Sequence, residues 1–143
     1  MNGFRGLFLD VDSVKKLVEY ARDTEKSMLA KTGRLVNDPH ITFCYGDVEQ
    51  FPEALNSTYT VYAIGYGEDD LNSGFQVEIP EELKSLYDGA ETKHITLFLG
   101  EGGKAVDTAY LRFHPLKKRI VLKCRLGIKP HGGKVIIRKE EEK

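Results

Sequence analysis

A seven-residue strand pattern occurs twice in this chain and constrains the fold more than any other feature. HITFCYG at residues 40–46 and HITLFLG at residues 94–100 are identical at four of seven positions and apolar at the other three. Each copy follows a strand-like segment and a helix-like segment, first within residues 4–46 and again within residues 75–100. The repeated order of strand, helix and His-Ile-Thr strand predicts two similar lobes that face each other.

The whole chain predicts one domain of strands and helices spanning residues 1–143. A chain of 143 residues fits a single domain, since most domains contain roughly 100 to 200 residues. Besides the two repeated strands, the predicted strands cover residues 4–11, 58–66, 75–79, 119–128 and 134–139. The predicted helices cover residues 14–33, 51–56, 80–86 and 107–111.

Composition excludes several classes of protein. With 41% apolar and 30% charged residues the chain is typical of a globular domain, and no apolar stretch approaches the roughly 20 residues that cross a bilayer. The N-terminus lacks the pattern of a signal peptide, so we expect a cytoplasmic protein without a membrane span. Cys44 and Cys124 lie in apolar strand segments, which is typical of buried thiols and not of a disulfide framework.

Each repeated strand brings one imidazole and one hydroxyl to the same face. Successive side chains of a strand point to opposite faces, so His40 and Thr42 share one face, as do His94 and Thr96. The opposite face of the first copy carries Ile41, Phe43 and Tyr45. If the two lobes face each other, both polar pairs converge on one cleft.

This set of residues suits the cleavage of a phosphodiester. One histidine can take a proton from the nucleophile while the other gives a proton to the leaving oxygen, since an unperturbed imidazole changes its charge near neutral pH. The threonine hydroxyls can donate hydrogen bonds to the non-bridging oxygens as charge gathers there. The reaction needs no metal and no other cofactor, and the sequence leaves open which histidine is the base.

The alternative for each histidine is a buried polar residue bonded to backbone. A lone strand histidine more often has that role, but two of only four histidines fall at the same place in a repeated unit, which favours catalysis. The other two, His114 and His131, are expected in loops, and their spacing to Cys44 or Cys124 matches no compact zinc site. We therefore expect no metal site.

The paired motifs PHITFCYG and KHITLFLG resemble the two H-x-T/S signatures of the two-histidine (2H) phosphoesterase superfamily. That superfamily includes RNA 2′,3′-cyclic phosphodiesterases, the bacterial enzymes called 2′-5′ RNA ligases, 2′-5′ oligoadenylate phosphodiesterases and phage enzymes that cut cyclic oligonucleotides. The stretch HITLFLGEGGKAVDTAYL is most similar to the second-motif region of the 2′,3′-cyclic nucleotide phosphodiesterase branch. The resemblance implies a bilobal α+β fold with two antiparallel sheets, flanking helices and a central cleft. It also implies that the catalytic positions are His40, Thr42, His94 and Thr96.

Aromatic and basic side chains near the motifs are candidates for substrate contacts. The candidates for stacking on a base are Tyr45, Phe98, Phe4 and Tyr110, each of which also fits a place in the core. Lys93 and Lys104 lie close in sequence to the second motif and could supply charge to a phosphate, with a solvated lysine as the alternative. Residues 100–104 lack the full pattern of a nucleoside-triphosphate loop, so such a site is not expected.

Charge is distributed unevenly along the chain. Residues 1–107 carry 10 Lys or Arg against 19 Asp or Glu, whereas residues 108–139 carry 10 Lys or Arg and no acid. The net charge of -1 argues against a protein that coats long nucleic acid, although an RNA end or a small phosphate ester remains compatible. The basic segment is either an anion-facing surface or a set of solvated charges.

Three functions follow from the sequence. The first is a phosphodiesterase that acts on a nucleotide or RNA-end substrate. The second is a non-catalytic module that binds nucleotides or RNA ends, and the third is an RNA-processing partner protein that uses the basic C-terminal third as its contact surface. No stable protein partner is predicted, and the oligomeric state is left open.

Overall fold

Seven antiparallel strands dominate the fold, with short helices between them. The computed structural model describes residues 2–47 and 57–133. The strands are β1 (Asn2–Leu9), β2 (Arg34–Leu35), β3 (His40–Asp47), β4 (Thr58–Glu68), β5 (Asn72–Glu78), β6 (His94–Leu99) and β7 (His114–Pro130). They form one sheet in the order β2-β6-β5-β4-β7-β1-β3. The expected α+β class is confirmed.

The helical segments are short and lie in the connections between strands. Helix α1 (Val11–Glu19) starts where the Asp10 carboxylate accepts a hydrogen bond from the backbone N–H of Ser13 at 2.8 Å. It continues as a π-helical turn, Tyr20–Thr24, and helix α2 covers Leu29–Thr32. Two 3₁₀-helices cover Glu81–Leu86 and Ala105–Tyr110. No helix among the described residues is long and apolar enough to cross a membrane.

The sequence predictions differ from the structure in a few places. The single helix predicted over residues 14–33 is wrong, because Lys26 has a φ of 53°, which a continuing α-helix cannot accommodate. The strand predicted over residues 119–128 is correct but too short, since β7 is 17 residues long. The predicted helix at residues 51–56 and the predicted last strand at residues 134–139 lie outside the described residues.

Within residues 2–47 and 57–133 the strands form one sheet, whereas the resemblance implied two. Strands β4 and β7 are 11 and 17 residues long, and they pair with each other over most of the length of β4. Strand β4 also pairs with β5, and β7 also pairs with β1. The long β4–β7 pair therefore joins the two halves of the repeat into one hydrogen-bonded sheet.

The apolar core lies on one face of this sheet. The fully buried large side chains come from most of the strands and include Leu7, Ile41, Phe43, Phe75, Ile95, Leu97 and Leu122. Helices α1 and α2 add Leu17 and Leu29 to the same cluster, so both helices cover this face. The opposite sheet face is left for the polar side chains of β3 and β6.

Candidate active site

The two His-Ile-Thr strands, β3 and β6, occupy equivalent places in the two halves of the repeat. Strand β1 pairs with β3, and Phe8 lies opposite His40. Strand β5 pairs with β6, and Gln76 lies opposite His94. Both pairs are antiparallel, so the internal repeat that the sequence predicted is present in the strand pairing.

Both strands carry a β-bulge directly after the motif threonine. The pairing skips Phe43 in β3 and Leu97 in β6. Opposite each bulge stands a glycine, Gly6 in β1 and Gly74 in β5. A Cβ atom would lie 2.2 Å from a backbone oxygen of β3 at Gly6 and 2.4 Å from a backbone oxygen of β6 at Gly74. Only glycine permits these close approaches.

Hydrogen bonds to the two bulged residues connect the halves reciprocally. The carbonyl of Phe43 accepts a hydrogen bond at 2.7 Å from the backbone N–H of Asp88, which precedes β6. The carbonyl of Leu97 accepts one at 2.9 Å from the backbone N–H of Val36, which precedes β3. Strand β3 lies at one edge of the sheet and β6 lies next to the other edge. The sheet therefore curls until the loop before each motif reaches the other motif.

The predicted motif residues come together around one cavity of about 350 Å³. His40, Thr42, His94 and Thr96 all line it. The other lining residues are Arg34, Val36, Asn37, Tyr45, Gly89, Ala90, Leu99, Ala105, Val106, Ala109 and Tyr110. The convergence expected from strand alternation is thus present.

The two imidazoles are held in the same way. Nδ1 of His40 lies 2.8 Å from the carbonyl oxygen of Asp38, and Nδ1 of His94 lies 2.8 Å from the carbonyl oxygen of Thr92. A carbonyl oxygen can only accept, so Nδ1 carries the hydrogen in both rings. In the neutral ring, Nε2 then has the free lone pair and is the atom that can take a proton.

The surroundings of His40 favour its neutral form. The ring of Phe4 stacks on the imidazole with centroids 4.4 Å apart, and the ring of Phe8 lies 5.5 Å away. Burial lowers the pKa of His40, and the positive charge of Lys129 and the nearby His94 lower it further, against the opposing effect of the hydrogen bond to Asp38.

The Thr96 hydroxyl is engaged within the protein, although the motif predicts that it donates to a substrate. Only 9% of Thr96 is exposed, and its hydroxyl donates to the carbonyl of Ala105 at 3.0 Å and lies 2.8 Å from the hydroxyl of Thr108. The amide of Asn72 donates to the same Thr108 hydroxyl at 3.0 Å. Because a hydroxyl has one hydrogen, Thr96 must leave its protein acceptors before it can donate to a ligand. In this structure it fastens the 3₁₀-helix Ala105–Tyr110 to β6.

The bulges decide which aromatic residues reach the cavity. Strand alternation predicted that Tyr45 faces away from His40, but Tyr45 lines the cavity and is 67% exposed. The extra residue at Phe43 reverses the alternation beyond it. The same reversal after β6 residue 97 directs Phe98, predicted to stack on a base, into the core, where it is 5% exposed. Tyr110, another predicted stacking residue, lines the cavity and is 86% exposed.

Phe4, the fourth predicted stacking residue, lies beside this cavity. Its ring packs between the rings of His40 and Tyr45, whose centroids are 4.4 Å and 5.9 Å from its own. Together with Tyr45, Lys129 and His131 it lines a neighbouring cavity of about 490 Å³. Tyr45 is therefore the wall shared by the two cavities.

The basic residue that lines the cavity is Arg34 and not either of the two predicted lysines. The ammonium of Lys93 lies 4.8 Å from the centroid of the Tyr87 ring, and Lys104 is exposed with its carbonyl accepting from Asn72. Neither lysine lines the cavity around the motifs, whereas Arg34 does. Arg34 lies on β2, which pairs with β6 of the other half, and nothing in the sequence indicates that pairing.

The remaining histidines and the cysteines do not line the cavity around the four motif residues. Nε2 of His114 lies 2.9 Å from a carboxylate oxygen of Glu25, and His114 begins β7, where a loop was predicted. Both cysteines are free, with Cys124 buried and Cys44 partly buried. Within residues 2–47 and 57–133 no group of three or more His, Cys, Asp or Glu side chains is arranged to hold a metal ion.

Comparison with known proteins adds no family assignment. No model of a known protein family matches this chain, and no curated protein sequence matches it either. What the site can do is therefore argued from its own residues and their geometry.

Proposed function

We propose that this chain is a metal-independent phosphodiesterase in which His40 and His94 act as a general acid–base pair. The substrate class is a 2′,3′-cyclic phosphate at an RNA end or on a nucleotide, or a related 2′-5′ linked or cyclic oligonucleotide. One observation carries the proposal: two imidazoles with the same Nδ1 hydrogen bond line one cavity, each followed by the threonine of its motif. A pair of purely structural histidines needs no shared cavity.

The reaction proposed is an in-line displacement at phosphorus. A water molecule, or a neighbouring 2′-hydroxyl, gives its proton to Nε2 of one histidine as its oxygen bonds to phosphorus. The bond from phosphorus to the leaving oxygen breaks, and the other histidine protonates that oxygen. For attack by water on a cyclic phosphate we assign the base to His40, because burial beside Phe4 lowers its pKa and keeps the ring neutral. His94 is then the acid. Attack by a 2′-hydroxyl is the reverse step and exchanges the roles of the two histidines.

Other residues of the cavity suit a phosphate ester. Arg34 can neutralise charge on the non-bridging oxygens, and the Asn37 amide can donate to the same group. Tyr45 and Tyr110 are the exposed aromatic rings of the lining and suit stacking on a base. These four residues supply the recognition that the two motifs lack.

The bilobal 2H-like arrangement is also part of the proposal. Support comes from the two equivalent strand pairs, β1–β3 and β5–β6, with a glycine opposite a bulge in each. In this proposal the two halves of the single sheet correspond to the two lobes. The cavity between β3 and β6 corresponds to the cleft.

Product analysis in the presence of a chelator tests the proposal. The purified protein is incubated with 2′,3′-cyclic mononucleotides, 2′-5′ and 3′-5′ oligoadenylates and cyclic oligonucleotides. We expect turnover of at least one of these, a loss of at least about 100-fold in His40→Ala and in His94→Ala, and near-normal turnover in the control His114→Ala. The position of the phosphate in the product, 2′ or 3′, would indicate which branch of the 2H phosphoesterase superfamily the activity resembles. Turnover that survives in both motif variants would refute the mechanism.

A substrate with a good leaving group separates the two roles. A 2′-deoxynucleoside 3′-(p-nitrophenyl phosphate) has no 2′-hydroxyl, so water must be the nucleophile. It releases p-nitrophenolate, which needs no protonation, so the general acid becomes dispensable. We expect His94→Ala to recover most of its activity on this substrate, while His40→Ala stays inactive. The reverse pattern would exchange the assignments of base and acid.

A non-catalytic module that binds nucleotides or RNA ends is the second candidate. The observation that favours it is the Thr96 hydroxyl, which is engaged with Ala105 and Thr108. Tight binding of one substrate in the panel, with no turnover by the wild-type protein, would support this candidate over the enzyme.

A further inference from the structure

Basic side chains of β7 lie on the same sheet face as the two motif histidines. Residues directly opposite each other in an antiparallel pair share a face. His40 lies opposite Phe8, Phe8 lies opposite Arg125, and Arg125 lies opposite Thr58. Strands are about 4.8 Å apart, so Arg125 lies roughly 10 Å from His40 across the sheet. The path from the motif histidine to this guanidinium crosses a single aromatic side chain.

Two further cations of β7 continue this face away from His40. Lys123 lies two residues before Arg125 and opposite Thr60, whose hydroxyl its ammonium contacts at 2.8 Å. Arg119 lies with its guanidinium 4.1 Å from the centroid of the Tyr62 ring on β4. All three cations are exposed, and we call them the β7 strip: Arg119, Lys123 and Arg125. Strand β7 contains six Lys or Arg residues and no Asp or Glu.

Spacing and surroundings suit an extended chain of phosphates. Alternate residues of a strand are about 6.6 Å apart, so Arg125 and Lys123 are separated by about 6.6 Å and Lys123 and Arg119 by about 13 Å, with Val121 between them. The strip spans roughly 20 Å. The Tyr62 ring and the threonine hydroxyls of β4 lie beside the strip. Glu78, opposite Tyr62 on β5, is the exposed acid that borders the strip at its far end. The face thus carries cations beside Phe8 and along β7, and an acid beyond Tyr62.

We propose that the β7 strip binds the body of a single-stranded nucleic acid whose phosphate end occupies the cavity around His40 and His94. Cations that follow the backbone and aromatic rings that stack on bases are the two components of single-strand binding surfaces. The inference rests on the proposed function and narrows it, because it makes an oligonucleotide the preferred substrate over a mononucleotide.

Salt-dependent RNA binding tests the strip without requiring turnover. The probe is a ten-nucleotide fluorescent single-stranded RNA with a 3′-phosphate, and its Kd is measured by anisotropy between 50 and 200 mM salt. Each phosphate neutralised contributes about 0.7 to the slope of log K against log salt for a single strand, so three cations give about 2. Replacing two of them in Lys123→Gln/Arg125→Gln is expected to lower the slope by about 1.4 and to weaken binding.

A matched control removes equal charge elsewhere. Helices α1 and α2 bury Leu17 and Leu29 in the core on the other side of the sheet, and Lys15 and Lys31 are exposed on them. The variant Lys15→Gln/Lys31→Gln is expected to keep the wild-type slope. An equal loss of slope in both double variants would reveal a general charge effect and would contradict the proposal that the β7 strip binds RNA. If the wild-type protein does not bind the RNA, the proposal is contradicted as well, and a protein partner becomes the alternative occupant of this surface.

Kinetics separate failure of the strip from failure of the proposed function. The ratio of kcat/KM for the ten-nucleotide RNA ending in a 2′,3′-cyclic phosphate to that for the cyclic mononucleotide is expected to exceed 10 and to fall in Lys123→Gln/Arg125→Gln. A ratio near 1 with normal turnover of the mononucleotide would contradict RNA binding by the β7 strip and would leave the proposed phosphodiesterase activity unaffected. If the salt slope depends on the β7 strip but neither substrate is turned over, RNA binding by the strip is supported and the proposed phosphodiesterase activity is contradicted.

Discussion

Alanine at Gly6 or Gly74 is expected to damage the site through the backbone. Each glycine faces the bulge of a motif strand, and an added Cβ would lie 2.2 Å from the carbonyl oxygen of Ile41 or 2.4 Å from that of Ile95. Neither oxygen can rotate away, because it belongs to the strand that carries the motif. The substitution therefore pushes the β1–β3 pair or the β5–β6 pair apart.

The required movement can be worked out from these distances. Real Cβ contacts are essentially never shorter than 3.0 Å, so the backbone must move by at least 0.8 Å at Gly6 and 0.6 Å at Gly74. Overpacking of this kind costs about 1 to 3 kcal/mol of unfolding free energy. A shift approaching 1 Å in a catalytic group can cost about 100-fold in rate. We therefore expect losses in kcat/KM on the order of 10-fold to 100-fold for each variant.

Thermal unfolding and kinetics are measured on the same preparations. The melting temperature of Gly6→Ala is expected to fall by about 3 to 10 °C, since 1 kcal/mol corresponds to about 3 °C at this size. Gly133→Ala is the matched control, because its Cβ would be 3.3 Å from its nearest neighbour, a side-chain atom of Pro130. Wild-type stability and activity in both Gly6→Ala and Gly74→Ala would refute the role assigned to the two glycines.

Three further predictions concern single side chains. Because burial lowers the pKa of His40, the unfolded chain binds more protons, so the unfolding free energy is expected to fall as pH falls from about 6.5 through the folded-state pKa; urea titrations of His40→Gln should lack this component. Arg34→Gln is expected to raise the KM for the phosphate ester about 10-fold, the loss of one charge-assisted hydrogen bond, and an unchanged KM would remove Arg34 from the site. Burial raises the pKa of Cys124 to about 12, so a thiol reagent at pH 7.5 should modify Cys44 but reach Cys124 only after unfolding; rapid modification of both in the native protein would contradict the buried placement.

The parts of the fold that depend on local pattern could be predicted from sequence. Strand periodicity and the repeated motif are properties of short segments, so the positions of β3 and β6 and the sharing of a cavity by His40 and His94 follow from them. The prediction of a strand at residues 58–66 differs from the structure only at its end, because β4 continues to Glu68. These features needed no knowledge of which strands pair.

Features created by strand pairing could not be predicted. The bulge at Phe43 exists because Gly6, far away in sequence, allows close approach, and it moves Tyr45 to the cavity side. Arg34 reaches the cavity because the short strand β2 pairs with β6 of the other half. The single sheet likewise depends on the length over which β7 pairs with β4. Each of these is a long-range property that alternation along one strand does not contain.

The repeat gives the site symmetry in its backbone but not in its chemistry. At the position opposite the motif histidine the first half has Phe8 and the second half has Gln76. Four residues earlier on the same strands, the first half has Phe4, which stacks on His40, and the second half has Asn72, which bonds to the Thr108 hydroxyl. Apolar rings penalise a charged imidazole by desolvation, whereas an amide can offer a hydrogen-bonding partner. In the proposed reaction this difference, set on β1 and β5 and not in the motifs, gives two identical motifs separate roles as base and acid.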